Sequence, residues 1–310
     1  MLYQPNAPGD WGSMQETDDI TIATEDLITT DACKHFLRSW ETAGSDALLI
    51  LHGLGGHSGW YIDMGNVLAS RGITVYAMDH RGFGRSGGLP GHIDDYHTYV
   101  EDIGFILTEI RKRHPEGKIY LLGHSMGGLF ATHVSAKYGH MLAGIFLLNP
   151  WVQDTSHLSF ITILSILVGG LFKSHHYWQV DGGTEVMTTN PEAIQMLQAD
   201  PFWRRKQTAC FLFQIVLMRL AIFSKAKRVS IPVFVMQAED DKSVVAEANR
   251  KLYEALASSD KTWKIYPGYA HDSEFERDRS QLDNDVVAWI REHAVAASSV
   301  SAEALDQHIT

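Results

Sequence analysis

The chain has 310 residues, 45% apolar and 20% charged, ordinary for a soluble globular protein and enough for one large domain with an insertion or for two. Its 26 basic and 37 acidic residues give a formal charge of −11, which argues against a nucleic-acid binder, since that would need a basic footprint. Two cysteines, Cys33 and Cys210, lie too far apart for a disulfide framework, so a reducing, cytoplasmic setting is expected.

Residues 1–18 read as a polar leader with no basic region followed by an apolar stretch, so no signal peptide is expected. Strand-like runs at 20–24 and 34–40 open the patterned part. Apolar runs at 47–52, 74–79, 118–123, 143–149, 231–237 and 262–266 then alternate with helical stretches near 60–71, 93–114, 126–138, 244–257 and 276–294. In the second of these helices Val100, Ile103, Ile106, Leu107 and Ile110 recur at helical spacing. Short continuous Val/Ile/Leu runs separated by helices predict an α/β fold: a mostly parallel central sheet flanked by helices, with its core at 19–150 and 229–295. Residues 151–228 break the alternation and are read as an inserted helical cap. Residues 296–310 are small, polar and unpatterned, and a disordered tail is expected there.

Taken in chain order, the motifs begin after the run at 47–52, in His52-Gly53-Leu54-Gly55-Gly56-His57. Glycines there let backbone approach a developing negative charge, and the Leu54 N–H is the first candidate oxyanion donor. His52 reads as a structural hydrogen-bonding residue. Asp79 and Arg81 read as fixing the turn after their strand. Gly82-Phe83-Gly84-Arg85-Ser86-Gly87 matches G-x-G-x-x-G, but Gly88, Leu89, Pro90 and Gly91 prolong a loop where a dinucleotide site needs a helix, so a turn is expected instead.

Gly123-His124-Ser125-Met126-Gly127 is a G-x-S-x-G match set between the run Ile119-Tyr120-Leu121-Leu122 and a helix start. A strand that turns sharply into a helix lifts Ser125 above the sheet, beside free N–H groups; that of Met126 is the second candidate donor. His124 is expected to pack or hydrogen-bond beside it. A serine hydroxyl needs a base, and the base an orienting acid. The run 231–237 leads into Glu239-Asp240-Asp241, and the strand 262–266 into a loop bearing His271, the single histidine between His176 and His293. The order Ser125, acid, His271 fits a nucleophile-elbow hydrolase, with Asp240 and Asp241 both available as the acid.

Within 151–228, Leu158 to Phe172 is almost wholly apolar yet too short to span a bilayer, and Cys210 to Phe223 is interrupted by Gln214 and Arg219. Both fit buried cap helices. Alternatively, one face lines an acyl-chain tunnel or dips into a lipid surface; Phe160, Ile163, Leu164, Leu167 and Leu171 share a helical stripe, and Phe160, Leu164 and Leu167 are the candidate substrate-binding residues. Sixteen histidines are scattered, with no H-E-x-x-H or Cys/His cluster, so no metal site is expected.

His52-Gly53-Leu54-Gly55-Gly56-His57-Ser58-Gly59, Asp79-His80-Arg81-Gly82-Phe83-Gly84-Arg85-Ser86, Gly123-His124-Ser125-Met126-Gly127-Gly128 and the Asp241/His271 pair resemble the α/β-hydrolase family, and within it the monoacylglycerol lipase and lysophospholipase branch. The resemblance covers roughly residues 20 to 295 outside most of 151–228. Some members carry a glutamate where this chain has Gly56. The resemblance implies Asp241 as the acid, no cofactor, and a small-molecule single-chain acyl ester as substrate. A serine ester hydrolase acting through an acyl-enzyme is therefore expected, with peripheral lipid contact through the cap. A thioesterase, acyltransferase or carbon–carbon bond hydrolase on the same residues stays open, because fold does not settle reaction class. So does a receptor that retains the fold, or a membrane-associated interaction protein.

Overall fold

The structure, a computed structural model, describes residues 20–155, 160–179 and 183–306; the side chains of Phe160, Ile161, Glu185 and residues 295–306 lie outside the described set. The leader at 1–18 lies outside it too. The elements run β1 (Thr21–Ile28), β2 (Lys34–Glu41), β3 (Ala47–Leu51), α1 (Ile62–Ala69), β4 (Thr74–Met78), α2 (His97–Arg113), β5 (Ile119–His124), α3 (Met126–Tyr138) and β6 (Gly144–Leu148). Then come α4 (Phe160–Leu171), β7 (Tyr177–Gln179), α5 (Pro191–Ala199), β8 (Lys206–Thr208), α6 (Ala209–Ala226), β9 (Val233–Ala238), α7 (Ala246–Ala255), β10 (Lys261–Tyr266) and α8 (Ser280–Asp306).

Eight strands form one sheet in the order β1-β2-β4-β3-β5-β6-β9-β10, parallel from β4 to β10, with β1 and β2 antiparallel at one edge. The mostly parallel sheet read from the sequence is borne out. Its central strands are continuous apolar runs because both faces are covered. Leu49, Leu51, Leu121, Ile145 and Val235 point to one side, against Ile103 and Leu107 of α2 and Phe130 of α3. Their chain neighbours Leu48, Ile50, Leu122, Phe146 and Phe234 point to the other, against Leu68 of α1 and Ile290 of α8. Full burial of one such side chain contributes about 1.5–3 kcal/mol.

Between β6 and β9 the chain builds the cap from α4, α5 and α6 and a two-stranded ribbon of β7 and β8. The sequence reading did not anticipate the ribbon, since three-residue strands are too short to show a period. By length and apolarity α6 could span a membrane, but Phe211, Ile215, Met218 and Ile222 are buried in the core and the helix packs on α3 and α4. Two boundaries differ from expectation. Helix α2 begins at His97 rather than 93, because the stretch from Gly91 still belongs to a loop. Helix α8 spans Ser280–Asp306, against the 276–294 read from the sequence.

Candidate active site

Ser125 sits in the one-residue turn between β5 and α3, with φ 51° and ψ −113°. A non-glycine residue in that region is strained and is kept there by its surroundings. Two neighbours must be glycine: a Cβ on Gly123 would lie 2.2 Å from the Gly127 carbonyl oxygen, and one on Gly127 would lie 2.1 Å from that of Leu51. The Ser125 N–H donates to Leu148 O (2.9 Å), and its own carbonyl accepts from Leu129 N (3.1 Å) and Trp151 N (2.9 Å). The turn is thus pinned from the adjacent strand and from both sides of the chain.

Two loops at the same sheet edge bring the partners. After β9, the Asp241 carboxylate accepts Ser243 N (2.8 Å) and Val244 N (3.0 Å) on Oδ1, which leaves Oδ2 for His271 Nδ1 at 2.7 Å. After β10, His271 places Nε2 2.9 Å from Ser125 Oγ. The adjacent Asp240 is exposed to solvent. Sequence reasoning missed Asn149, at the end of β6 with φ 45°. Its amide donates to His271 O (2.6 Å), and its Oδ1 accepts Ala238 N (2.7 Å), tying β6, β9 and the histidine loop together. An Asn closing a strand, one of the few residue types that tolerates a left-handed conformation, was the available signal.

The surroundings of His271 are acidic and buried. Burial alone would lower the pKa of the imidazole, but Asp241 outweighs it through charge and hydrogen bond, with Asp272 and Glu274 adding to the effect, and His271 rises to about 9. Burial pushes the carboxyls of Asp272 and Glu274 up. Between these two acids lies His124, its Nε2 3.4 Å from Asp272 and its Nδ1 3.3 Å from Glu274. His124 Nε2 donates to His271 O (3.1 Å) and Nδ1 faces Tyr61 Oη (3.3 Å), so it hydrogen-bonds beside the serine as expected. His124, His271 and Asp272 are close enough to share a cation, but both nitrogens of His271 already face Ser125 and Asp241.

The other sequence-selected residues fall around this centre. Gly53 packs against Ser125, and Leu54 borders the same cavity. Met126 opens α3, where an N–H has no acceptor within the helix. His52 accepts His80 N (3.0 Å) on Nε2 and donates from Nδ1 to Gly53 O (2.7 Å); burial lowers its pKa to about 3, so it is a neutral structural residue. Asp79 accepts Ser58 N (2.6 Å) and Arg85 N (2.7 Å), while Arg81 pairs with Asp102 and Asp31. Both therefore fix the turn. The segment 82–91 is a loop, as expected.

Above Ser125 lies a cavity of about 520 Å³, within the usual range for small-molecule sites. The cap supplies much of its wall: Thr162 and Ile166 of α4, Leu212, Ile215 and Val216 of α6, and Trp178 of β7. The cap is fastened to both loops, by Arg204 N to Gly55 O (2.8 Å) and Asp272 N to Met187 O (2.7 Å). Here the expectation for Leu164 and Leu167 is corrected. Neither lines the cavity; they are 49% and 40% exposed, on the outward face of α4 with Ile163, Val168 and Leu171. Helix α4 is apolar on nearly all sides, so its period does not tell which face turns inward. The Phe160 side chain lies outside the described residues.

The profile of the family described as serine aminopeptidase, S33 (Hydrolase_4) matches residues 44–278. Human monoglyceride lipase is 26% identical over 282 residues, covering 89% of this chain and 92% of the relative. The monoacylglycerol lipase of Mycolicibacterium smegmatis is 27% identical over 255 residues, covering 82% and 90%. The crystal structure of Paleococcus ferrophilus monoacylglycerol lipase superposes with a TM-score of 0.76 at 24% identity, over 84% of this chain and 99% of that one.

Proposed function

The chain belongs to the serine aminopeptidase S33 (Hydrolase_4) family of α/β-hydrolases and is a hydrolase of the esterase and lipase kind, and from that premise we propose that it cleaves single-chain acyl esters, such as a monoacylglycerol or a lysophospholipid, through a serine acyl-enzyme. The observation that carries the reading is the hydrogen-bonded series Ser125–His271–Asp241 beneath a largely apolar cavity. Ser125 Oγ attacks the ester carbonyl while His271 Nε2 takes its proton; Asp241 holds the imidazole in the tautomer that exposes Nε2 and stabilises the imidazolium. The N–H groups of Leu54 and Met126 receive the oxyanion. His271 returns the proton to the leaving alcohol, and water, activated in the same way, releases the acid. No step calls on a cofactor. A hydrolysis panel from acetyl to long-chain esters, with monoacylglycerols and lysophospholipids included, tests the reading; turnover of none of them contradicts it.

The elevated pKa of His271 sets the pH dependence. The base acts only when neutral, so kcat/KM is low where His271 is protonated and rises with pH through its pKa. Because Asp241 and the neighbouring acids raise that pKa above the ordinary 6.5 to about 9, the half-maximum of kcat/KM lies well above pH 6.5. A rise complete by pH 6 contradicts this.

Acyl length follows from the inner wall. Each buried methylene contributes about 0.8 kcal/mol, roughly fourfold in kcat/KM, until the cavity is full. Val216→Phe, which fills part of the wall, ends that rise at a shorter chain. A wild-type preference for acetyl esters defeats the long-chain reading. The outward face of α4 instead supports contact with a lipid surface, as Leu171 and Phe172 are 72% and 81% exposed. Leu164→Ser with Leu167→Ser is expected to reduce co-sedimentation with phospholipid vesicles while leaving hydrolysis of a dissolved short ester within about twofold, as for surface changes away from the site. Undiminished vesicle binding removes α4 from that role.

A further inference from the structure

The cap meets the core at a second place, where Thr208 N donates to Gly91 O (2.9 Å) and Tyr177 Oη to Pro90 O (2.8 Å). Three donors from two chain segments converge beside these bonds. His92 and Asp94 come from the loop before α2, and Cys210 from the start of α6; their ligand atoms all lie within 4.8 Å of one another. His92 Nε2 is 3.6 Å from Asp94 Oδ1. A tetrahedral zinc ion with nitrogen and oxygen ligands at about 2.0–2.1 Å needs ligand edges of about 3.3–3.4 Å, close to the separation of His92 and Asp94. The ring of His175, from the connection between α4 and β7, stands edge-on to that of His92 with centroids 4.6 Å apart.

A separate contact orients the cluster. His92 Nδ1 faces Thr208 Oγ1 at 2.8 Å, and that hydroxyl is itself fixed by Phe211 N (3.1 Å). Nε2 is therefore the ring nitrogen left toward Asp94, the outer-shell arrangement found behind metal-bound histidines. Cys210 is fully buried, whereas Asp94 and His175 are exposed, so a cation can enter from solvent. Lys173 lies 3.5 Å from Asp94 in an exposed ion pair that a divalent cation would displace at little cost. None of these residues lines the cavity above Ser125.

We propose that His92, Asp94 and Cys210 form a site for a thiophilic divalent cation, with zinc as the best match, that ties the cap to the core. The donor set of one thiolate, imidazole and a carboxylate suits zinc and disfavours magnesium or calcium. On binding, the Cys210 S–H proton passes to solvent and the sulfur lone pair to the metal.

The test is titration of the metal-free full chain with Co²⁺, read by the thiolate-to-cobalt absorption band, and with Zn²⁺ by calorimetry. The expected result is one cation per chain. Cys210→Ser removes the band, and His92→Gln and Asp94→Asn each weaken Zn²⁺ binding at least about tenfold. Asp94→Asn is a surface change, so it keeps the test valid if a buried variant does not fold. His271→Ala retains binding, which separates this site from the histidines beside Ser125. Absence of saturable binding overturns the proposal. So does binding unchanged in both Asp94→Asn and Cys210→Ser, or binding lost in His271→Ala alone.

Discussion

Ser125→Ala is expected to lower ester hydrolysis by on the order of 10⁶ in kcat, down to the residue left by the oxyanion donors and substrate binding. The expectation rests on geometry: His271 Nε2 approaches Ser125 Oγ at 2.9 Å, and the turn conformation is held by backbone bonds to Leu148, Leu129 and Trp151 that the variant keeps. The alanine protein should therefore fold and fill its cavity yet fail in chemistry. Steady-state kinetics with a chromogenic acyl ester, beside a thermal melt showing the same fold, measures this. A loss below about a hundredfold would mean that another group supplies the nucleophile. His271→Ala should be as damaging, because the two act as a unit.

The second large effect separates adjacent acids. Asp241→Asn is expected to cost about 10⁴ in kcat, as when a base is held in the wrong tautomer. Asp241 Oδ2 sits 2.7 Å from His271 Nδ1, and an amide at that place can present its NH₂ instead of an acceptor. The same change removes the main influence raising the pKa of His271, so the surviving activity should show its rise at lower pH. Asp240→Asn should change kcat less than about threefold, since its side chain is exposed, as expected of surface substitutions. Reversed effects in the two variants would place the acid one residue earlier.

The fold was legible wherever burial makes a strand wholly apolar. β3 to β6 and β9 showed as runs because their apolar residues alternate between two cores. The elbow was legible because Gly123, Ser125 and Gly127 answer steric demands within five residues of chain. What stayed hidden is non-local. Asn149 acts by joining β6, β9 and the His271 loop, partners 89 and 122 residues away. Asp272 and Glu274 carry no pattern that marks them in the sequence, yet they are buried against His124. The phase of α4 was hidden because apolar residues surround the helix: Ile166 turns inward while Leu164 and Leu167 turn out. The scattered histidines gave no metal signal because His92 meets Cys210 and His175 only once the cap is folded onto the core.

Covalent capture tests most directly whether Ser125 is the nucleophile of a serine hydrolase. The wild-type protein is treated with an alkyl fluorophosphonate, digested, and its peptides sequenced by mass spectrometry, with hydrolysis followed in parallel. One phosphonylated residue is expected, Ser125, with loss of activity in step with labelling and no labelling in Ser125→Ala or His271→Ala. Phosphonylation of a different serine, or hydrolysis that continues undiminished in a protein fully labelled at Ser125, would contradict it.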